Sequence, residues 1–226
     1  MRLTQYITEE KDVIENLTNT ISKECKPFLK EFGISYKHDR CIWRGAKSNY
    51  KDIVTRVKTR KDRLPRYNKR THEYLSKISK EIFGWNIRSE GIFTGSVSIS
   101  KGYGKKFVFI PIGKYRYVWV DLNESNIYRL YDRYELTLQG AENIEYERHG
   151  MDKKDFEKYK KDQLEEINVD VEDIKNKIYD EYKNKYKTSG LNLDSSHSFE
   201  AIFDCKEYLL INADSYHVIK LAMSEL

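Results

Sequence analysis

The chain has 226 residues, 39% apolar and 34% charged, with a formal charge of +5 and 18 tyrosines. That length holds one large domain or two small ones, and the composition implies a compact core beneath a strongly ionic surface. The charge suits an anionic partner but falls short of the basic balance of a dedicated nucleic-acid binder. Cys25, Cys41 and Cys205 are odd in number and form no CxxC, which argues against a disulfide framework or a thiolate zinc site and fits a reducing cytoplasm.

No apolar run reads as a signal peptide or a membrane span, so a cytoplasmic protein without membrane or metal partners is expected. From about Ile7 to Phe32, the residues Val13, Ile14, Leu17, Ile21, Cys25 and Phe28 recur at three- and four-residue spacing. This predicts one amphipathic helix, or two meeting near Pro27. Arg40-Cys41-Ile42-Trp43-Arg44-Gly45 follows as a short strand that delivers an arginine to a turn.

Residues 51 to 70 set nine cations against Asp52 and Asp62, a local excess of +7 that is larger than that of the whole chain. Arg56, Lys58, Arg60, Lys61, Arg63, Arg66 and Arg70 are its candidate anion contacts, and Pro65 predicts a loop or irregular segment. A solvated charged face and an anion-binding patch are both open readings of this run. Thr71 is placed to cap a helix whose apolar face is Leu75, Ile78, Ile82 and Phe83, ending at Gly84.

Gly91 to Gly104 contains four glycines and several hydroxyl residues, and reads as a strand, a polar turn and a short segment leading to another strand. Such a turn can bring backbone N–H groups and hydroxyls close to a ligand, or can simply be a tight connection. Phe107 to Ile110 and Tyr115 to Val120 predict strands around a Pro111–Gly113 turn. Residues 121 to 190 predict two or three exposed charged helices, an insertion in a single domain that spans 1–226. Strands are expected again at Phe199–Phe203, at Tyr208–Ile211 after a turn at Asp204–Lys206, and at Tyr216–Ile219.

Trp43-Arg44-Gly45, Phe93-Thr94-Gly95-Ser96 running through Tyr103-Gly104, and Glu200-Ala201-Ile202-Phe203 occur in that order. The arrangement resembles the ADP-ribosyltransferase superfamily of the arginine–serine–glutamate kind, and is similar to a group of uncharacterised phage-encoded proteins. The resemblance covers roughly residues 40 to 120 and 197 to 220. It implies an α+β fold with a split β-sheet core, an N-terminal helical segment over residues 1–33, and NAD as the cofactor. It also implies transfer of ADP-ribose to a macromolecular acceptor, whether DNA, RNA or a host protein, in the cytoplasm of the host.

By matching, Arg44 and Gly45 would hold the pyrophosphate or the nicotinamide ribose. Thr94 and Ser96 would support that ribose and the catalytic glutamate, and Tyr103 would offer its ring to nicotinamide. Glu200 would be catalytic, with Glu207 the alternative, and His197 would stand on the acceptor side. Ser198 occupies the position where members that modify arginine or guanine carry Glu or Gln, and Gly95 stands where the family usually has Thr.

Overall fold

The structure, a computed structural model, describes residues 3–47, 50, 52–61, 69–144, 153–194 and 198–226. The chain is α+β and forms two compact units, one from residues 1–62, 90–123 and 187–226, the other from 63–89 and 124–186.

The first unit begins with α1 (Leu3–Glu24) and α2 (Lys26–Lys37). The break falls at Cys25 because Pro27, in the first turn of α2, has no N–H to continue the helix ladder behind it. Phe28, Phe32 and Tyr36 form the buried face of α2. Five strands follow: β1 (Trp43–Ala46), β2 (Val54–Lys58), β3 (Ile92–Gly95), β4 (Lys105–Asp121) and β5 (Phe199–Asn212).

All pairings are antiparallel. The ring β5–β3–β1–β4 closes through the β4–β5 pair, and β2 continues along the C-terminal half of β5. The sheet is therefore a small barrel, and the split-sheet core implied by the resemblance is not what the strands form. The reason lies in β4 and β5, which are 17 and 14 residues long, enough to coil around and present both edges.

Neither predicted turn within these strands occurs. At Pro111–Gly113 the chain makes a register irregularity between Ile112 and Tyr115, with Gly113 at φ 70°, and the strand continues. Asp204–Lys206 stays in β5, paired across to β4 and supported by the Arg116–Asp204 ion pair at 2.8 Å. Within the segment expected to be irregular, β2 forms because residues 54–58 have the C-terminal half of β5 as partner. Tyr216–Ile219 lies not in a strand but in α7 (Tyr216–Ser224), which follows α4 (Val97–Lys101), α5 (Ile127–Ile144) and α6 (Lys153–Lys185) in chain order. Val218, Ile219, Ala222 and Met223 recur there at helical spacing and α7 packs on α1 and α2.

Tyr36 ties these layers together. Its hydroxyl donates to the Phe109 carbonyl at 2.7 Å and accepts from the Ile42 N–H at 3.0 Å, both in the core. Phe28 meets the Tyr36 ring edge-on, while Phe32, Tyr117, Phe203 and Phe109 form a run of tilted and stacked rings.

The second unit contains α3 (Lys69–Phe83), α5 (Ile127–Ile144) and α6 (Lys153–Lys185). The helices expected to be an exposed arm have a core of their own. Ile174, Ile178 and Tyr182 of α6 are fully buried, together with Ile127 of α5 and Leu75 of α3. Tyr131 donates to Tyr182 at 2.5 Å, and Tyr74 donates to the Lys175 carbonyl at 2.8 Å. Tyrosines supply much of the missing apolar volume here, which explains how so ionic a segment packs. Thr71 is not a cap. It is the third residue of α3 and is buried.

Candidate functional site

The three motifs of the resemblance converge on neighbouring strands of the first unit. Arg44 stands on β1, Thr94 and Gly95 on β3, and Glu200 on β5, with β3 hydrogen-bonded between the other two. One Arg44 amino group donates to the Phe93 carbonyl at 3.1 Å, and its guanidinium lies 5.6 Å from the Tyr208 ring centroid. The Arg44 Nε–H is buried and meets no acceptor among the described residues. Glu200 is 2% exposed and pairs in register with Gly95 and with Val120.

Two glycines of the motifs are explained by packing. A Cβ on Gly95 would lie 2.6 Å from the Phe199 carbonyl, and one on Gly45 would lie 2.1 Å from the Ser100 carbonyl. Backbone approaches backbone there, so both positions exclude a side chain. The departure at Gly95 thus follows from how tightly β3 meets β5. Thr94 is likewise committed to the sheet, since its buried hydroxyl donates to the Ala201 carbonyl at 2.8 Å.

Ser96 opens the turn into α4 and joins a row of hydroxyls. Its Oγ lies 2.9 Å from that of Ser98, which lies 3.2 Å from that of Ser198. The row lines a cleft of 430 Å³ shared with Asp39, Arg40, Trp43 and Asp194, within the range of about 300–1,000 Å³ usual for small-molecule pockets. Arg44, Tyr103 and Glu200 are not part of that lining. Tyr103 is 38% exposed, in the turn after α4, with its Cβ against Gly45.

Cys41 also lines the cleft, but burial pushes its thiol up to about 12, so it is a poor nucleophile. Among the described residues no group of three or more His, Cys, Asp or Glu side chains is placed to hold a metal ion, and no helix is long and apolar enough to cross a membrane.

The described residues of the basic run divide between the two units. Arg56 is held by two carboxylates: its Nε donates to Glu207 at 2.7 Å, and its amino groups reach Glu24 at 3.0 and 3.2 Å. These contacts raise the Arg56 pKa further and occupy the guanidinium. They also occupy Glu207, the alternative catalytic residue. Lys58, Arg60 and Lys61 are exposed in the first unit, whereas Arg70 belongs to α3 in the second. Arg63, Arg66 and His197 lie outside the described residues.

Sequence reasoning missed Ser98 and Ser198 as partners of Ser96. It also missed Lys114, Arg116 and Lys206, which the barrel brings to Lys58 and Lys61. Lysines flanking a Gly-containing irregularity in a strand were the available signal. Comparison with protein-family models, with curated proteins and with solved structures gives no match to this chain.

Proposed function

We propose that the protein is an NAD-dependent transferase that places ADP-ribose on a macromolecular acceptor, with Arg44 and Glu200 as its principal residues. The observation that carries this reading is the convergence of three short motifs, some 50 and 100 residues apart in sequence, onto β1, β3 and β5. The reaction it implies is cleavage of the bond between nicotinamide and ribose.

The buried, unpaired Nε–H of Arg44 is the donor a phosphate oxygen would satisfy, because a guanidinium N–H without an acceptor is costly to keep inside a protein. Glu200 supplies negative charge from within the sheet, where low dielectric strengthens its effect on positive charge developing on the sugar. Ser96 and its hydroxyl row offer neutral hydrogen bonds in a cleft that neither Arg44 nor Glu200 lines. The Thr94 hydroxyl donates to the Ala201 carbonyl and so helps to hold β3 against β5.

The test is release of nicotinamide from NAD, and of label onto macromolecules in a cell extract. Glu200→Gln is expected to lower the rate by about 100-fold or more, the size of effect seen when a preorganised electrostatic group is removed. Glu207→Gln should leave it within a few-fold. Absence of NAD consumption in the parent protein, or equal rates in parent and Glu200→Gln, overturns the reading.

A second reading has two observations in its favour. Arg44 already donates to the Phe93 carbonyl and Glu200 is almost wholly covered, as in a protein that keeps such a site without turnover. Such a protein would bind a nucleotide or nucleic acid with no release of nicotinamide.

A further inference from the structure

At the irregularity in β4, the first unit has an open groove of 960 Å³ built from three separate stretches of chain. The end of β2 and the stretch after it contribute Lys58 and Lys61, the bulge contributes Lys114 and Arg116, and β5 contributes Lys206. Two carboxylates, Asp204 and Glu207, also line it. Both are taken: Asp204 accepts from Arg116 at 2.8 Å and Glu207 from Arg56. Lys58, Lys61, Lys114 and Lys206 are all exposed, and none has a carboxylate partner among the described residues. Four ammonium groups thus line one concavity without a carboxylate partner among the described residues.

We infer that this groove binds the phosphodiester backbone of a single nucleic-acid strand, without regard to base sequence. Lysine ammoniums are compact point charges suited to phosphates, and four of them follow a chain of negative charge. The groove is an open concavity between the bulge in β4 and the end of β2. The ring of Tyr115 is turned inward against Phe28 and Phe203, so it is not available to stack on bases. Affinity then comes from counterion release, and binding is strongly salt-dependent.

The inference deepens the transferase reading by naming the acceptor class, yet it is measured without NAD, so the two fail separately. The experiment is fluorescence anisotropy of labelled oligothymidylate with the full chain. With four phosphate contacts to a single strand, raising salt from about 50 to about 200 mM is expected to weaken binding by about 50-fold. Replacing Lys58, Lys61, Lys114 and Lys206 together by Gln should abolish that binding while leaving the thermal midpoint unchanged, and each single change should lower the salt slope by about 0.7.

A charge-matched variant with Gln at Lys11, Lys23, Lys77 and Lys80, exposed lysines outside the groove, should bind as the parent does. No binding at low salt, equal loss in both quadruple variants, or equal affinity for polyglutamate of matched charge overturns the inference. Binding that survives Glu200→Gln, together with nicotinamide release that survives the lysine changes, places the two activities at separate sites.

Discussion

Gly95→Ala tests whether the glycine-rich stretch is a sheet contact. The new methyl would sit 2.6 Å from the Phe199 carbonyl oxygen and 3.1 Å from Cβ and Cγ2 of Ile99. The first neighbour is backbone and cannot swing aside, so β3 must shift away from β5. That shift strains the Ser96 N–H bond to Phe199 at 3.0 Å and the Thr94 hydroxyl bond to Ala201 at 2.8 Å. Overpacking costs about 1–3 kcal/mol and a weakened hydrogen bond adds about 1 kcal/mol, giving about 2–4 kcal/mol in all. For a chain of this size that corresponds to a fall of roughly 4–16 °C in the thermal midpoint.

Urea unfolding followed by tryptophan fluorescence reads the effect, since Trp43 and Trp119 both belong to the first unit. Gly140→Ala is the control. Gly140 lies within α5, where an added methyl would meet no atom within 4 Å, and the change should stabilise by about 0.5–1 kcal/mol. A Gly95→Ala protein as stable as the parent would refute the close β3–β5 contact and reopen the stretch as a ligand cradle.

Two further outcomes follow from buried groups. Tyr36→Phe leaves the Ile42 N–H without its acceptor and takes a donor from the Phe109 carbonyl, and should cost about 1–3 kcal/mol in urea unfolding; an unchanged midpoint would show that the bridge contributes nothing. Burial pushes the Cys25 and Cys41 thiols up to about 12 from an ordinary 9.0. Above pH 9 the unfolded chain therefore loses protons that the folded chain keeps, so the thiols' contribution is whole below pH 9 and drains away as pH rises toward 12. By about pH 10 the loss is about 1.4 kcal/mol per thiol, and a Cys25→Ala/Cys41→Ala protein should lose about 3 kcal/mol less than the parent between about pH 8 and about pH 10. Identical pH dependence in the two proteins would refute the assignment.

Helices were legible wherever apolar residues kept a 3.6-residue period. The α1–α2 break at Pro27, the α3 face of Leu75 and Ile78, and the Ile174–Ile178–Tyr182 stripe of α6 all follow from spacing alone. Strand limits were less legible, because Pro111–Gly113 and Asp204–Lys206 carry turn residues that a long coiled strand absorbs in a bulge or turns to the solvent. Residues 216–224 defeated the period for a different reason. Read only as far as Ile219, the segment is too short to separate helix from strand, and Ala222 and Met223 complete the helical face. At the site, Arg44, Thr94, Ser96 and Glu200 could be picked out by type and order. What Thr94 and Gly95 do there depends on carbonyls of β5, more than 100 residues away.

The choice between Glu200 and Glu207 turns on surroundings that the sequence does not display, since both lie on β5 and both precede apolar residues. Glu207 has a side chain 24% exposed and is engaged by Arg56, which is itself shared with Glu24. A carboxylate balanced by an adjacent guanidinium exerts little net field on a third charge, and its partner here is half-exposed, so the pair is worth no more than about 1 kcal/mol. Glu200 is 2% exposed and pairs with Gly95 on β3. If chemistry depends on a fixed charge in a dry setting, Glu200→Gln removes it and Glu207→Gln only frees Arg56. The reverse pattern, loss of nicotinamide release in Glu207→Gln alone, would move the reacting centre to the β2 side of the barrel.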